Sequence, residues 1–457
     1  MSALRRLSVV LALGIAGRAR LSAQTALAIY NDGRVVVRRS LPTPLVKGRN
    51  TLTLEVDGID PASVFSPDTS VSVVLAVLYS PTDRPGALAA AVGETLSFVR
   101  GANDTVRASV VRVSPPEYRL ADGRFLMVEP GEPLIPAALV RTVPELALTL
   151  EASRPRPRTE LVYLTTGVTW SATYQVLLQG GSAAVSGTAT VLAQTLRADS
   201  AEVELVAGTV GRARQAVPMF AGLAARAAVP EAADVSEEAV GEVHVYTLSG
   251  RLAVQPGVAA ATALFPRLTV PVTEQLIVPG ALPYRGYLPN SMGAEPNRVP
   301  VEVWYTLQRP RGTPFGDRPL PGGVVQVYQA DSAGRPALVG EARSDHTPAG
   351  RDLRVQSGDA FDVTAERVLI DYVQETIPPV RRGLPATQRI TASFRVTLTN
   401  AKPTPVTVDV RETRAGTWQV VTSTLPAEKL SATEVRFAVP VAASGQAILT
   451  YTVQVES

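Results

Sequence analysis

The chain has 457 residues, 46% of them hydrophobic, and a formal net charge of +3. It contains no cysteine, which excludes disulfides, thiol catalysis, cysteine-ligated zinc and the lipidated cysteine that anchors bacterial lipoproteins. Its two histidines, His244 and His346, lie about a hundred residues apart, which removes most imidazole-based catalysis and multi-histidine metal sites. Length allows two to four domains, and the apolar content suffices for several cores.

Residues 1–23 have the grammar of a signal peptide: Arg5 and Arg6, an apolar run from Leu7 to Gly17, and small residues ending at Ala23. Eleven residues are too few to cross a bilayer, which takes about 20. The expectation is an exported protein, periplasmic, outer-membrane-associated or extracellular, cut after Ala23. Arg18 and Arg20, unusual near a cleavage site, keep a retained anchor open as the alternative. Without the segment's four arginines the net charge falls from +3 to −1, which leaves no electrostatic footprint for nucleic acid or anionic lipid. Only Lys47, Lys402 and Lys429 among 44 basic residues are lysine, a bias in keeping with a GC-rich bacterial genome.

Apolar positions alternate with period two over most of the rest, predicting an all-β protein of several β-sandwich or barrel-like modules. In the N-terminal β region, 24–153, Leu27–Ile29 and Val35–Val37 flank Asn31-Asp32-Gly33, the signature of a β-hairpin. Asp122-Gly123 repeats the device. Closely spaced short strands near 92–136 predict a small barrel-like or sandwich insertion. The RPRPR run at 154–158 reads as a stiff connector with solvated charges.

A further β domain is expected in two parts, 154–212 and 241–378, separated by a flexible linker or short helix at 213–240, where alternation stops. Residues 379–457 alternate most cleanly, with about seven short strands, and predict a C-terminal immunoglobulin-like sandwich held by packing alone.

Motifs for chemistry are sparse. Ser344-Asp345-His346 lists the residue types of a hydrolytic triad, but neighbours in a strand face opposite ways, so Asp345–Pro348 is read as a turn. Asp359, Asp362, Glu366, Asp371 and Glu375 are candidates for an acid–base pair or a Ca²⁺ site, although their spacing suits neither and the rims of solvated strands explain them. Phosphate-binding loops and the nucleophile elbow have no match. Trp170, Trp304 and Trp418 lie in strand patterns, read as core, with an exposed sugar-stacking platform as the alternative. No catalytic, cofactor-binding or metal residue is assigned.

The stretch Tyr163–Leu178, YLTTGVTWSATYQVLL, followed by AEVELVAGTV at 201–210, resembles a bacterial family catalogued as domain of unknown function 4139, which includes mucoidy-inhibitor-like proteins. PVEVWYTL, PLPGGVVQVYQAD, LVGEARSDHTPAG, SGDAFDVTAER and TLTNAKPTPVTVDVRE extend the resemblance over about 160–457, and TALAIYNDGRVVVRR is similar to the N-terminal region of such proteins. The long coiled-coil insertion of the mucoidy-inhibitor branch is missing. The resemblance implies a β-rich fold and carries no reaction and no site residues. The resulting expectation is an exported, non-enzymatic structural or binding protein of the bacterial cell envelope, its partner a protein or glycan, with a carboxylate-dependent hydrolase of envelope polysaccharide as the alternative. A membrane-anchored assembly factor is a third reading, which turns on whether the Leu7–Gly17 segment is cleaved.

Overall fold

Period-two patterning becomes strand almost everywhere: among the described residues 65% are strand and 3% helix, in an all-β fold of several sandwich-like sheets with no closed barrel. The computed structural model describes residues 24–101, 104–208, 236–240, 242–280, 297–378 and 387–456. The signal-like segment 1–23 and residues 213–235 of the expected linker lie outside them.

The strands are β1 (Gln24–Tyr30), β2 (Arg34–Leu41), β3 (Gly48–Glu55), β4 (Val71–Tyr79), β5 (Thr95–Gly101), β6 (Asp104–Arg112), β7 (Glu117–Leu120), β8 (Phe125–Leu126), β9 (Glu132–Leu134), β10 (Glu145–Ala152), β11 (Thr159–Thr166), β12 (Val168–Gln179), β13 (Ser182–Ala193) and β14 (Ala198–Ala207). They continue with β15 (Ser236–Val240), β16 (Val243–Val254), β17 (Ala259–Val278), β18 (Asn297–Val299), β19 (Glu302–Leu307), β20 (Gly323–Ala330), β21 (Pro336–Ser344) and β22 (Leu353–Asp359). The last seven are β23 (Val363–Ile377), β24 (Thr387–Asn400), β25 (Val406–Thr413), β26 (Thr417–Ser423), β27 (Glu428–Lys429), β28 (Glu434–Val441) and β29 (Gly445–Glu456). Residues 236–240, expected within a linker or short helix, are therefore a strand, pairing antiparallel with β16 from Ser236↔Thr247 to Val240↔Val243.

One compact unit takes the described residues up to Thr169 with Leu192–Glu204 and Gly250–Val258. A six-stranded sheet runs β11-β2-β1-β14-β16-β15. The expected hairpin is present: Leu27 lies opposite Val37 and Ile29 opposite Val35, all four buried, each worth about 1.5–3 kcal/mol over exposure. Its turn needs positive φ at Gly33 (+84°), where only glycine is unstrained. A second sheet, β3-β10-β4, buries Leu146, Leu148 and Leu150.

The expected insertion is an open five-stranded sheet, β8-β7-β6-β5-β9, backed by helix α1 (Arg84–Ala90). Asp83 caps that helix, accepting from Gly86 N–H at 2.8 Å. Leu88 and Ala91 pack on Leu96, Phe98, Val110 and Tyr118, with Phe98 edge-on to Tyr118 at 5.2 Å. In the RPRPR run, Arg156 corrects the expectation of solvated charge. It forms a bridge with Leu45, and its half-buried guanidinium binds Ser70 Oγ at 2.9 Å and Asp68 at 2.6 Å.

The second unit takes Trp170–Val191 and the described residues of 205–249 and beyond 258. Ten strands form one sheet, β21-β20-β12-β13-β17-β25-β28-β27, with β19 and β22 branching from β17. A five-stranded sheet, β18-β23-β24-β29-β26, faces part of it. Between them lies the C-terminal sandwich core, where Phe437 stacks on Tyr451 at 4.8 Å among Val396, Leu398, Val408 and Leu449. This sandwich reaches upstream of residue 379, because β23 runs beside β24 from Val363↔Asn400 to Ile377↔Thr387.

The same core holds charges. Glu412 is fully buried, accepts from Tyr451 Oη at 2.5 Å and from Arg367, and lies 2.7 Å from Arg414 Nη2. Both guanidinium groups lie against Phe394, at 4.3 and 5.7 Å from the ring centroid. Burial and the Glu412 charge hold the Tyr451 hydroxyl well above the ordinary tyrosine range.

Candidate functional site

The residue types of a hydrolytic triad do not form one, and the candidate carboxylates lie along exposed strand and turn. Ser344 ends β21, and His346 Nδ1 accepts from Gly322 N–H at 3.0 Å in the following loop, whose turn falls at Pro348–Arg351 rather than at 345–348. Asp359, Asp362, Glu366, Asp371 and Glu375 are all exposed. Along β23 neighbouring members of the last three are separated by about 13–17 Å at strand rise, beyond the reach of a carboxylate pair. Among the described residues no group of three or more histidines or carboxylates is placed to hold a metal ion. No helix of the described residues is long and apolar enough to cross a membrane.

The three tryptophans separate. Trp170, in β12, is buried, its Nε1 donating to Val206 O at 3.3 Å. Trp418, in β26, packs on the C-terminal core. Trp304, in β19, departs from the core reading. Alternation puts Tyr305 and Leu307 on the buried side, so Glu302, Trp304 and Thr306 share the opposite face. That phase was visible in the sequence, where Trp304 stands out of step with its apolar neighbours.

Trp304 lines an open concavity of about 430 Å³ with Glu341, Arg343, Arg354, Gln356 and Ser357. Register builds it. Trp304 lies opposite Gln356 and Thr306 opposite Arg354 across β19 and β22, so these side chains stand on one face. The indole is fixed at its edge, Nε1 donating to Glu302 Oε2 at 2.8 Å, and the Arg354 guanidinium lies 4.9 Å from its ring centroid. The third wall is β21, which carries Glu341 and Arg343 two residues apart. Gly340 lets it approach β22: a Cβ there would fall 2.4 Å from Ser357 Cβ and O.

The segment between β19 and β20 is braced. Arg309, fully buried, donates to the carbonyls of Phe315 (3.2 Å), Pro348 (3.1 Å), Arg351 (2.8 Å) and Arg318. Tyr174 and Tyr246 hydroxyls donate to Pro321 O at 2.7 Å and Pro319 O at 3.1 Å. These bonds fix the loop that enters β20, and β20 sets β21 in place, with Gln326 Nε2 donating to Glu341 at 3.0 Å. A rigid ring, two guanidinium groups and amide and hydroxyl groups around a recess equip this place for binding a polar ligand. The chain matches no protein-family model, no curated protein and no solved structure.

Proposed function

We propose that this protein is an exported, non-enzymatic binding protein of the bacterial cell envelope that takes a glycan in the Trp304 concavity. The observation that carries the reading is the pinned Trp304 indole, on the solvent phase of its strand, in a recess lined by hydrogen-bonding side chains. The ring is anchored at one edge and carries Arg354 over it, so that sugar C–H groups would meet the indole surface left beside that guanidinium, while Gln356, Ser357 and Glu341 supply partners for hydroxyls. The concavity is within the size range of small-ligand sites. The signal-like N-terminus supports export, and the resemblance to the family of domain of unknown function 4139, which includes mucoidy-inhibitor-like proteins, agrees with the β-rich architecture. The wide spacing of the exposed 366–375 carboxylates favours binding over hydrolysis.

The test is a glycan array probed with residues 24–457 and with Trp304→Ala. Saccharide binding that disappears in the variant is the expected result. Binding unchanged by Trp304→Ala moves the site elsewhere and ends this reading. N-terminal sequencing of the exported protein, beginning at Gln24, tests the secretion step.

A further inference from the structure

We infer that the ligand of the Trp304 concavity is an acidic oligosaccharide whose carboxylates are held by Arg343 and Arg354, an inference that rests on the glycan-binding reading above. Some arginines of the chain pair with acids, as Arg34 does with Asp32 at 2.8 Å and Arg251 with Glu202 at 3.1 Å, and others, such as Arg107 and Arg267, form no ion pair among the described residues. Arg343 and Arg354 are the two that line the recess beside Trp304. Both are exposed, and neither has an ion pair or hydrogen bond among the described residues, Arg354 resting only on the Trp304 ring.

The acids close by already have donors, Glu302 that of Trp304 Nε1 and Glu341 that of Gln326 Nε2. Glu341 still lines the recess, so its lining carries a single net positive charge with both guanidinium forks unused. That is too small a field to track a phosphate backbone, but enough to receive one or two carboxylates. Guanidinium and carboxylate match in plane and spacing and form paired, charge-assisted bonds. Stacking on the pinned indole pre-orients Arg354, which reduces the freedom lost on binding. A polymer of uronic acids presents such a carboxylate on each ring, next to the C–H face that an aromatic ring contacts. The register that puts Arg354 beside Trp304, and the glycine that brings Arg343 near both, therefore assemble a stacking surface and two anion forks within one recess.

The experiment is titration calorimetry on the full chain with four probes: oligogalacturonate, a hyaluronan fragment, the fully methyl-esterified oligogalacturonate, and a sulfated oligosaccharide with a neutral backbone. Tighter binding of at least one uronate than of the ester, by tenfold or more, is expected. A loss of tenfold or more in each of Arg343→Gln and Arg354→Gln should accompany it, with far-UV circular dichroism and thermal unfolding unchanged because both side chains are exposed. Ester and acid binding equally, both lost in Trp304→Ala, overturns the acidic specificity and leaves the glycan reading standing. Tighter binding of the sulfated probe overturns the carboxylate assignment. Acid binding unaffected in the Arg343→Gln/Arg354→Gln double variant overturns the role of these arginines, and silence with all four probes overturns the acidic specificity, the glycan reading itself standing or falling on the array.

Discussion

Replacing Glu412 with glutamine tests how the C-terminal sandwich holds together. Glu412 is the one carboxylate that Arg367 and Arg414 reach in the core among the described residues, and their side chains are only 10% and 8% exposed. Arg414 meets Glu412 Oε1 at 2.7 Å without an aligned hydrogen bond, and its Nε finds no acceptor among the described residues. The pairing is therefore satisfied by charge more than by geometry. Glutamine keeps the shape and an acceptor for Tyr451 but strands two buried cations. Breaking a buried ion pair costs about 3–5 kcal/mol, a large part of the ~5–15 kcal/mol of a typical domain.

Urea unfolding, followed by tryptophan fluorescence in a Trp170→Phe/Trp304→Phe background that leaves Trp418 on the same core, should show the midpoint fall by about 1.5–2.5 M for a slope near 2 kcal/mol/M. Replacing Glu412, Arg367 and Arg414 together by leucines should cost far less, since an apolar set removes the desolvation problem along with the charges. Glu412→Gln within about 0.5 kcal/mol of wild type would refute the reasoning and show that water reaches these groups.

Arg309→Lys should be destabilising by about 2–4 kcal/mol, because one ammonium cannot reach the four carbonyls the guanidinium serves. Faster proteolytic cleavage within residues 310–318 is the readout. Gly340→Ala should weaken saccharide binding tenfold or more and lower the melting temperature, since its methyl meets the Ser357 backbone and forces β21 away from it; titration and scanning calorimetry measure the two. Asp68 is held at about 2, against an ordinary 3.8, by the Ser70 N–H and hydroxyl, with Arg156 adding to them. Its folded value is the lower one, so its contribution is present above about pH 4 and is lost as pH falls through 2. Asp68→Asn should flatten the dependence of melting temperature on pH in that window.

Much of the fold was legible because strand alternation is local. The Asn31-Asp32-Gly33 hairpin needed only its flanking apolar residues and a glycine. The buried ion cluster also left a trace. Glu412 follows Val406, Val408 and Val410 at even spacing, and Arg367 follows Val363 and Ala365, so each charge stands in phase with a core face. A charge there signals a buried partner, but nothing in either strand says which one. Trp304 gave the converse signal, an aromatic on the solvent phase, which composition alone does not separate from Trp170.

By itself the sequence determined the all-β class and most strands, because a two-residue period and turn residues act over a few positions. Only tertiary structure decided which strands meet. Pairings such as Trp304 with Gln356, Glu412 with Arg367, and β12 parallel to β20 join positions tens to well over a hundred residues apart. Many registers satisfy the same apolar alternation, and the choice among them rests on whole-core packing and on close approaches such as Gly340 against Ser357. The concavity exists because that choice put three strands' polar faces side by side.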